Sequence, residues 1–101
     1  MDTFELASLQ VRQGNNEWPI SFARARLFVI QNYGTFSWYI ELDGMTQEEL
    51  LQHFAGSLDI DISVEAVTVG GRELGGDAFF HPNPQMRAAA LRGQGELKGY
   101  Q

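Results

Sequence analysis

The sequence contains no cysteine, so disulfide frameworks, thiolate metal sites and cysteine nucleophiles are excluded. Lysine is almost absent as well, because Lys98 is the only one, and the arginines are scattered apart from Arg24 and Arg26. The formal net charge is −6. This acidity argues against nucleic-acid binding by phosphate neutralisation, which needs clustered basic residues. We therefore expect no direct contact with nucleic acid.

Long apolar runs are also missing. The longest apolar-rich stretch, residues 20–30, is interrupted by Arg24 and Arg26, so no transmembrane helix and no membrane partner are expected. The first ten residues, MDTFELASLQ, lack a basic segment followed by an apolar one. No signal peptide is therefore predicted, and a cytoplasmic location is the default expectation, although a chain whose leader had been removed would look the same.

Period-two alternation of apolar and polar residues dominates what is present. It predicts one β-rich domain over residues 1–101, with six strands in the order β-β-β-α-β-β-β. The first four are expected at residues 3–12, 20–31, 35–43 and 57–69, the fifth ends near residue 80, and the last begins near residue 85. Short connections favour antiparallel neighbours. The fold class is mainly β: a small antiparallel six-stranded barrel or sandwich with one short helix, about residues 46–55.

Several local features sharpen this prediction. The alternation changes phase inside the first strand, which predicts a bulge near Ala7–Ser8. Thr46 and Glu49 have the spacing of a capping box, so we expect Thr46 to cap the helix and Thr46→Ala to cost about 1 kcal/mol. Gly70–Gly71 predicts a two-residue hairpin turn. The two prolines in residues 81–84 are expected to end the fifth strand.

The stretch LRGQGELKG, residues 91–99, raises the question of a phosphate-binding loop. A dinucleotide fingerprint needs a helix directly after its glycines, and only two residues follow Gly99. Gly93, Gly95 and Gly99 instead share one face of the last predicted strand, where their small size lets a bulky group approach. We expect an aromatic ring against them, with Trp38, Phe36 and Phe79 as candidates, so Gly95→Val should destabilise the fold.

Catalytic and metal-binding patterns are weak. Asp59, Asp61 and Glu65 share one strand face, which is more typical of a solvated surface that deters edge-to-edge association than of a metal or acid–base site. The two histidines, His53 and His81, have no spacing that indicates a shared metal ion, and no Gly-x-Ser-x-Gly elbow exists. We predict no enzyme activity, no catalytic residues, no metal and no cofactor.

The second predicted strand carries the most informative polar pattern. Its even positions place Arg24 and Arg26 between Phe22 and Phe28. Cross-strand pairing of the arginines with Asp or Glu is the favoured interpretation, followed by a protein interface; stacking of single-stranded bases is disfavoured by the overall acidity. A possible partner surface therefore comprises Phe22, Arg24, Arg26, Phe28 and Tyr39.

Three function hypotheses from different classes remain. The leading one is a non-catalytic acidic β-domain that acts through protein–protein contact, with a protein partner or with itself as a homodimer. The second is a small β-barrel that binds an apolar ligand in space left by the glycine-rich last strand. The third is an acidic inhibitor that mimics nucleic acid, for which binding to a basic protein would weaken steeply with salt.

Overall fold

Seven antiparallel strands and one short helix make up most of the computed structural model, which describes residues 1–100. The strands are β1 (Asp2–Gln13), β2 (Asn16–Pro19), β3 (Arg24–Asn32), β4 (Thr35–Asp43), β5 (Asp61–Thr68), β6 (Glu73–Asn83) and β7 (Ala88–Lys98). The helix α1 (Glu48–Ala55) lies between β4 and β5, and a 3-10 turn (Pro84–Met86) precedes β7. Within residues 1–100, no helix is long and apolar enough to cross a membrane.

Six of the strands close into a barrel in the order β1-β3-β4-β7-β6-β5, because β5 pairs back onto β1. Closure settles the choice between barrel and sandwich in favour of the barrel. β1 pairs with two strands: its first half, Asp2–Glu5, pairs with β3, and its second half, Leu6–Arg12, pairs with β5. The register shifts between Leu6 and Ser8, which confirms the predicted bulge. The seventh strand, β2, lies outside the closed barrel against the end of β1.

The predicted alternation places the core correctly on the barrel interior. Its inward residues on three strands are buried: Ala25, Leu27 and Val29 on β3, Trp38, Ile40 and Leu42 on β4, and Ile62, Val64 and Ala66 on β5. The outward positions between them are exposed or half-buried. A barrel this small is filled by its own side chains, as expected when every strand contributes one apolar face.

The helix closes one end of the barrel. Leu50, Leu51 and Phe54 are buried on its inner side, and the Phe54 ring stacks on that of Phe80 with centroids 4.3 Å apart. The helix begins at Glu48, not near Thr46, and its N-cap residue Gln47 makes no side-chain capping bond. The predicted capping box is therefore wrong.

The reason lies in the segment between β2 and β3. The Gln47 side chain accepts a hydrogen bond from the Ser21 backbone N–H at 2.8 Å and donates one to the Pro19 carbonyl at 2.8 Å. Thr46 donates its hydroxyl to the Ser21 hydroxyl and not to the helix. Both side chains thus tie α1 to the segment that precedes β3.

We expect Gln47→Ala to lower the free energy of unfolding by about 1–2 kcal/mol, because it removes both of these hydrogen bonds. Thr46→Ala should cost less, because it removes one exposed hydroxyl contact and no cap. Urea melts of the two variants and the wild type measure the difference. A larger loss for Thr46→Ala than for Gln47→Ala would contradict this assignment.

Other predicted boundaries also change. The second predicted strand was expected to begin at Ile20, but β3 begins at Arg24 and the short strand β2 was not predicted. Ala23, predicted to face the barrel interior, is consequently exposed. It lies against Gly44, where a Cβ added to the glycine would be 2.5 Å from the Ala23 Cβ. The fourth predicted strand, 57–69, is shorter in the structure and leaves Leu58 exposed.

The proline-containing segment 81–84 does not end the fifth predicted strand. β6 runs on to Asn83, with Pro82 opposite Ala89 on β7. The last backbone bond on the opposite edge is from the Phe80 N–H to the Ile60 carbonyl. The missing N–H of Pro82 lies beyond it, on an edge where no strand needs it. The predicted start of the last strand, near residue 85, is early by three residues, because the 3-10 turn comes first and β7 begins at Ala88. The Gly70–Gly71 hairpin has a longer loop than predicted, and of the two glycines only Gly71 has a positive φ, 92°.

Candidate interaction surface

The glycine-rich strand β7 packs against an aromatic ring, as predicted, but of the three glycines expected to face the ring only Gly93 does so. A Cβ added at Gly93 would lie 2.2 Å from the Trp38 indole, whereas one added at Gly95 would meet nothing within 4 Å. Gly95 sits in a register shift between β6 and β7 with φ of 75°, and its carbonyl accepts the Trp38 Nε1–H at 3.2 Å. Gly95→Val is therefore still expected to destabilise the fold, but because a β-branched residue is strained at this positive φ and not because it would meet a ring.

The Trp38 ring also bears on the apolar-ligand hypothesis. Its side chain is 2% exposed and reaches Gly76 as well as Gly93, so it fills the interior space that the glycines of β6 and β7 leave. The third glycine of the stretch, Gly99, faces backbone, since its added Cβ would be 2.1 Å from the Glu73 carbonyl oxygen. The protein's own indole thus occupies the volume on which that hypothesis depended.

The two arginines of the predicted partner surface form cross-strand ion pairs, which confirms the favoured interpretation. Arg24 contacts Glu5 with Nη2 and Oε1 2.7 Å apart, and Arg26 contacts Glu41 with the same atoms 3.1 Å apart. The hydrogen bond from Arg24 lowers the pKa of the Glu5 carboxyl. Because all four side chains remain partly exposed, each pair contributes little to stability.

Phe28 and Tyr39 are also brought together, whereas Phe22 is not. The rings of Phe28 and Tyr39 stack with centroids 4.8 Å apart and planes 19° apart, and the Arg26 guanidinium lies 5.3 Å from the Phe28 centroid. Phe22 precedes β3 and packs, partly buried, against the core. The alternation predicts Phe22 on the same face as Arg24 only if the strand extends back to Ile20. Because β3 begins at Arg24, this alternation does not apply to Phe22.

The strand register extends this surface beyond what the sequence indicated. Tyr39 lies opposite Arg92 on β7, and Arg92 lies opposite Phe79 on β6. We call Phe28, Tyr39, Arg92 and Phe79 the aromatic row; it crosses four neighbouring strands on the outside of the barrel. Sequence reasoning missed Arg92 and Phe79 because their place in the row depends on the order β4-β7-β6, for which the sequence carries no local signal.

Arg92 differs from the other arginines of the barrel wall. Arg12, Arg24 and Arg26 each have a carboxylate within 4.0 Å. Arg92 is exposed and, within residues 1–100, forms neither an ion pair nor a hydrogen bond through its side chain. Its neighbour Phe79 is also exposed, at 36%. A guanidinium between two aromatic side chains is therefore free to contact another molecule.

A second exposed feature is the end of the hairpin formed by β3 and β4. β1 pairs with β3 no further than Val29, and β7 pairs with β4 no further than Tyr39. Residues 30–37, which we call the arm, therefore pair only with each other among the described strands. The arm turns through Tyr33 and Gly34, whose φ values of 51° and 83° are those of a two-residue type I′ turn. Tyr33 at its tip is 99% exposed.

The acidic and histidine side chains are dispersed over the surface. In the described part of the chain, no three His, Asp or Glu side chains are grouped so that they could hold a metal ion. Asp61 accepts a hydrogen bond from Gln94, and Asp77 accepts one from the Ser63 hydroxyl. His53 lies against the Trp18 ring beside the helix. These contacts are those of a polar outer surface.

Comparison with known proteins identifies no relative of the chain. No family model, no curated protein and no solved structure matches the chain.

Proposed function

We propose that the protein is a non-catalytic domain that acts by binding a protein partner through the outer face of the barrel, with the aromatic row at the centre of the contact. The observation that carries this proposal is the unpaired Arg92 guanidinium, held in register between Tyr39 and Phe79. Arginine and aromatic residues are the types most enriched among the residues that dominate binding energy at protein interfaces.

The surroundings of the row support the same proposal. The ion pairs Arg24–Glu5 and Arg26–Glu41 flank the Phe28–Tyr39 stack on one side. Such an arrangement, apolar rings at the centre and satisfied polar groups around them, is the usual anatomy of a non-obligate interface. The ion pairs then add specificity, whereas most of the affinity comes from the rings and from Arg92.

The unpaired charge also defines the chemistry of the partner. Arg92 needs an acceptor once water is excluded from the interface, and a carboxylate is the side chain that best matches a guanidinium. Tyr39 and Phe79 require apolar atoms beside that carboxylate. We therefore expect a partner segment that presents an Asp or Glu flanked by apolar side chains.

Site-specific photocrosslinking tests this proposal. Phe79→p-benzoylphenylalanine keeps an aromatic side chain in the row and should give a light-dependent adduct with a discrete protein in an extract of the source cells. Adding Arg92→Ala should reduce the adduct yield roughly tenfold, as expected for loss of a central interface residue.

The matched control is Leu58→p-benzoylphenylalanine, which places the same group at an exposed apolar position in the loop between α1 and β5. This variant should give no discrete adduct. Equal adducts at both positions, or an adduct at position 79 that persists after Arg92→Ala, would overturn the assignment of the row as the contact surface.

A further inference from the structure

The turn at the tip of the arm carries a side chain that its backbone does not favour. Tyr33 and Gly34 have the left-handed φ values of a type I′ turn, 51° and 83°. At the first of these positions Asn, Asp and Gly are favoured, because the Cβ of other residues crowds the following carbonyl oxygen. The Tyr33 ring is 99% exposed, so packing does not offset this strain. An aromatic ring kept at such a position indicates contact with another molecule.

The arm around Tyr33 is polar but uncharged. From Leu27 to Ile40 the chain has no Asp, Glu, Lys or Arg, although the whole chain has a net charge of −6. Residues 31–37 are all exposed, and their polar side chains are amides and hydroxyls, namely Gln31, Asn32, Thr35 and Ser37. Within the described part of the chain, the one side-chain hydrogen bond that these residues make joins the Thr35 hydroxyl to the Asn32 carbonyl at 2.6 Å. Both amide side chains are therefore available to a ligand.

An open cleft of about 360 Å³ lies at the end of the arm and is lined by residues 31–36. Phe36 lies opposite Gln31 across the hairpin. Its ring contacts that of Tyr100, with centroids 5.8 Å apart, and it remains 36% exposed. The cleft thus combines a fully exposed ring, a second ring that Tyr100 holds in place, and two amides. Its volume is within the usual range of small-molecule sites.

We propose that the arm binds a neutral oligosaccharide, with one sugar ring stacked on Tyr33. The C–H groups on one face of a sugar ring carry a small positive charge, which matches the electron-rich face of an aromatic ring. Neighbouring sugar hydroxyls both donate and accept hydrogen bonds, and so do the amides of Gln31 and Asn32. The arm therefore presents groups that match both the apolar face and the polar rim of a sugar.

Other classes of ligand match the arm less well. A charged ligand finds no opposite charge between Leu27 and Ile40, and an anion is also repelled by the net charge of the chain. A lipid or an apolar protein surface would cover the amides of Gln31 and Asn32 without offering them hydrogen bonds, which is costly. A neutral ligand with many hydroxyls supplies those bonds and requires no charge.

The test is an NMR titration of the isotope-labelled full chain with defined oligosaccharides. The neutral probes are cellohexaose, xylohexaose, mannohexaose and maltohexaose, and the anionic probe is hexagalacturonate. At least one neutral probe should shift the amide resonances of residues 31–36 saturably. We expect micromolar to millimolar affinity, because an open cleft buries only part of its ligand. Hexagalacturonate should leave these resonances unchanged.

Tyr33→Asn separates binding from folding. Because Asn is favoured at this turn position, the variant should melt at or above the temperature of the wild type. Loss of the ring should weaken binding of the same neutral probe at least roughly tenfold. Leu58→Asn is the matched control, since it replaces another exposed apolar side chain by Asn, in the loop between α1 and β5. This control should bind the probe like the wild type.

Three results would overturn the proposal. The first is that no neutral probe binds at millimolar concentration. The second is that Tyr33→Asn or the anionic probe binds as well as the wild type binds its best neutral probe. The third is that Tyr33→Asn melts below the wild type, because the ring would then stabilise the turn. The inference does not depend on the aromatic row: adding Tyr33→Asn to the photocrosslinking variant at position 79 should leave its adduct yield unchanged.

Discussion

Gly93→Ala is expected to lower the free energy of unfolding by roughly 3 kcal/mol or more, although it adds a single methyl group. The added Cβ would lie 2.2 to 2.4 Å from three atoms of the Trp38 ring, far inside contact distance. The ring cannot move aside cheaply, because it is buried and its Nε1–H bonds to the Gly95 carbonyl. Displacing a core tryptophan costs about as much as losing its packing, roughly 3–5 kcal/mol.

Urea denaturation followed by tryptophan fluorescence measures this effect. Gly70→Ala is the matched control, since the added Cβ at that turn would have only one ordinary contact, 3.8 Å from the Thr68 hydroxyl, and its stability should change by less than about 0.5 kcal/mol. Combining Gly93→Ala with Trp38→Leu should cost clearly less than the sum of the two single changes. A Gly93→Ala protein as stable as Gly70→Ala would show that the ring does not lie on this glycine.

Phe54→Ala is expected to lower the free energy of unfolding by roughly 3–5 kcal/mol, the usual cost of truncating a fully buried phenylalanine. Its ring stacks on Phe80 and forms an edge contact with Trp18, with the two ring centroids 5.6 Å apart. It therefore joins the helix to both β6 and β2. An eight-residue helix has little intrinsic stability and depends on such contacts. The helix should therefore detach before the barrel unfolds.

Denaturant melts give the stability of this variant, and hydrogen exchange of the α1 amides shows whether the helix opens first. The exposed neighbour Gln52 lies on the same helix, and Gln52→Ala should change the stability by less than about 0.5 kcal/mol. A loss below about 1 kcal/mol for Phe54→Ala, or helix amides that exchange only with global unfolding, would contradict the role of this ring as the closure of the barrel end.

The parts of the fold that sequence predicted well are those with strong local alternation. β4 begins and ends at the predicted residues, Thr35 and Asp43, because nine residues alternate without interruption between a turn and a glycine. The bulge in β1 was visible as a change of phase. The errors occur where a tertiary contact overrides a local signal: Gln47 reaches Pro19 and Ser21 instead of leaving Thr46 to cap the helix.

The candidate surface also has parts that local alternation predicts and parts that depend on contacts between distant strands. The pairing of Arg24 and Arg26 with carboxylates was predictable, because alternation places charged residues of neighbouring strands on one face. The positions of Arg92 and Phe79 were not, since they depend on which distant strand lies beside β4. Gly95 was misplaced for a related reason: the register shift between β6 and β7 breaks the alternation that put all the glycines on one face.

The double pairing of β1 has a consequence for how the chain folds. The β3–β4 and β5–β6 hairpins join segments that are close in sequence, but the barrel closes only when Leu6 reaches Thr68 and Val11 reaches Val64. Bringing such distant segments together costs chain entropy before any contact is gained. We therefore expect closure between β1 and β5 to be the slow step, and folding to take milliseconds to seconds, as in other barrels dominated by non-local strand pairs. Until that step, the inner face of β5 is exposed to water and to other chains.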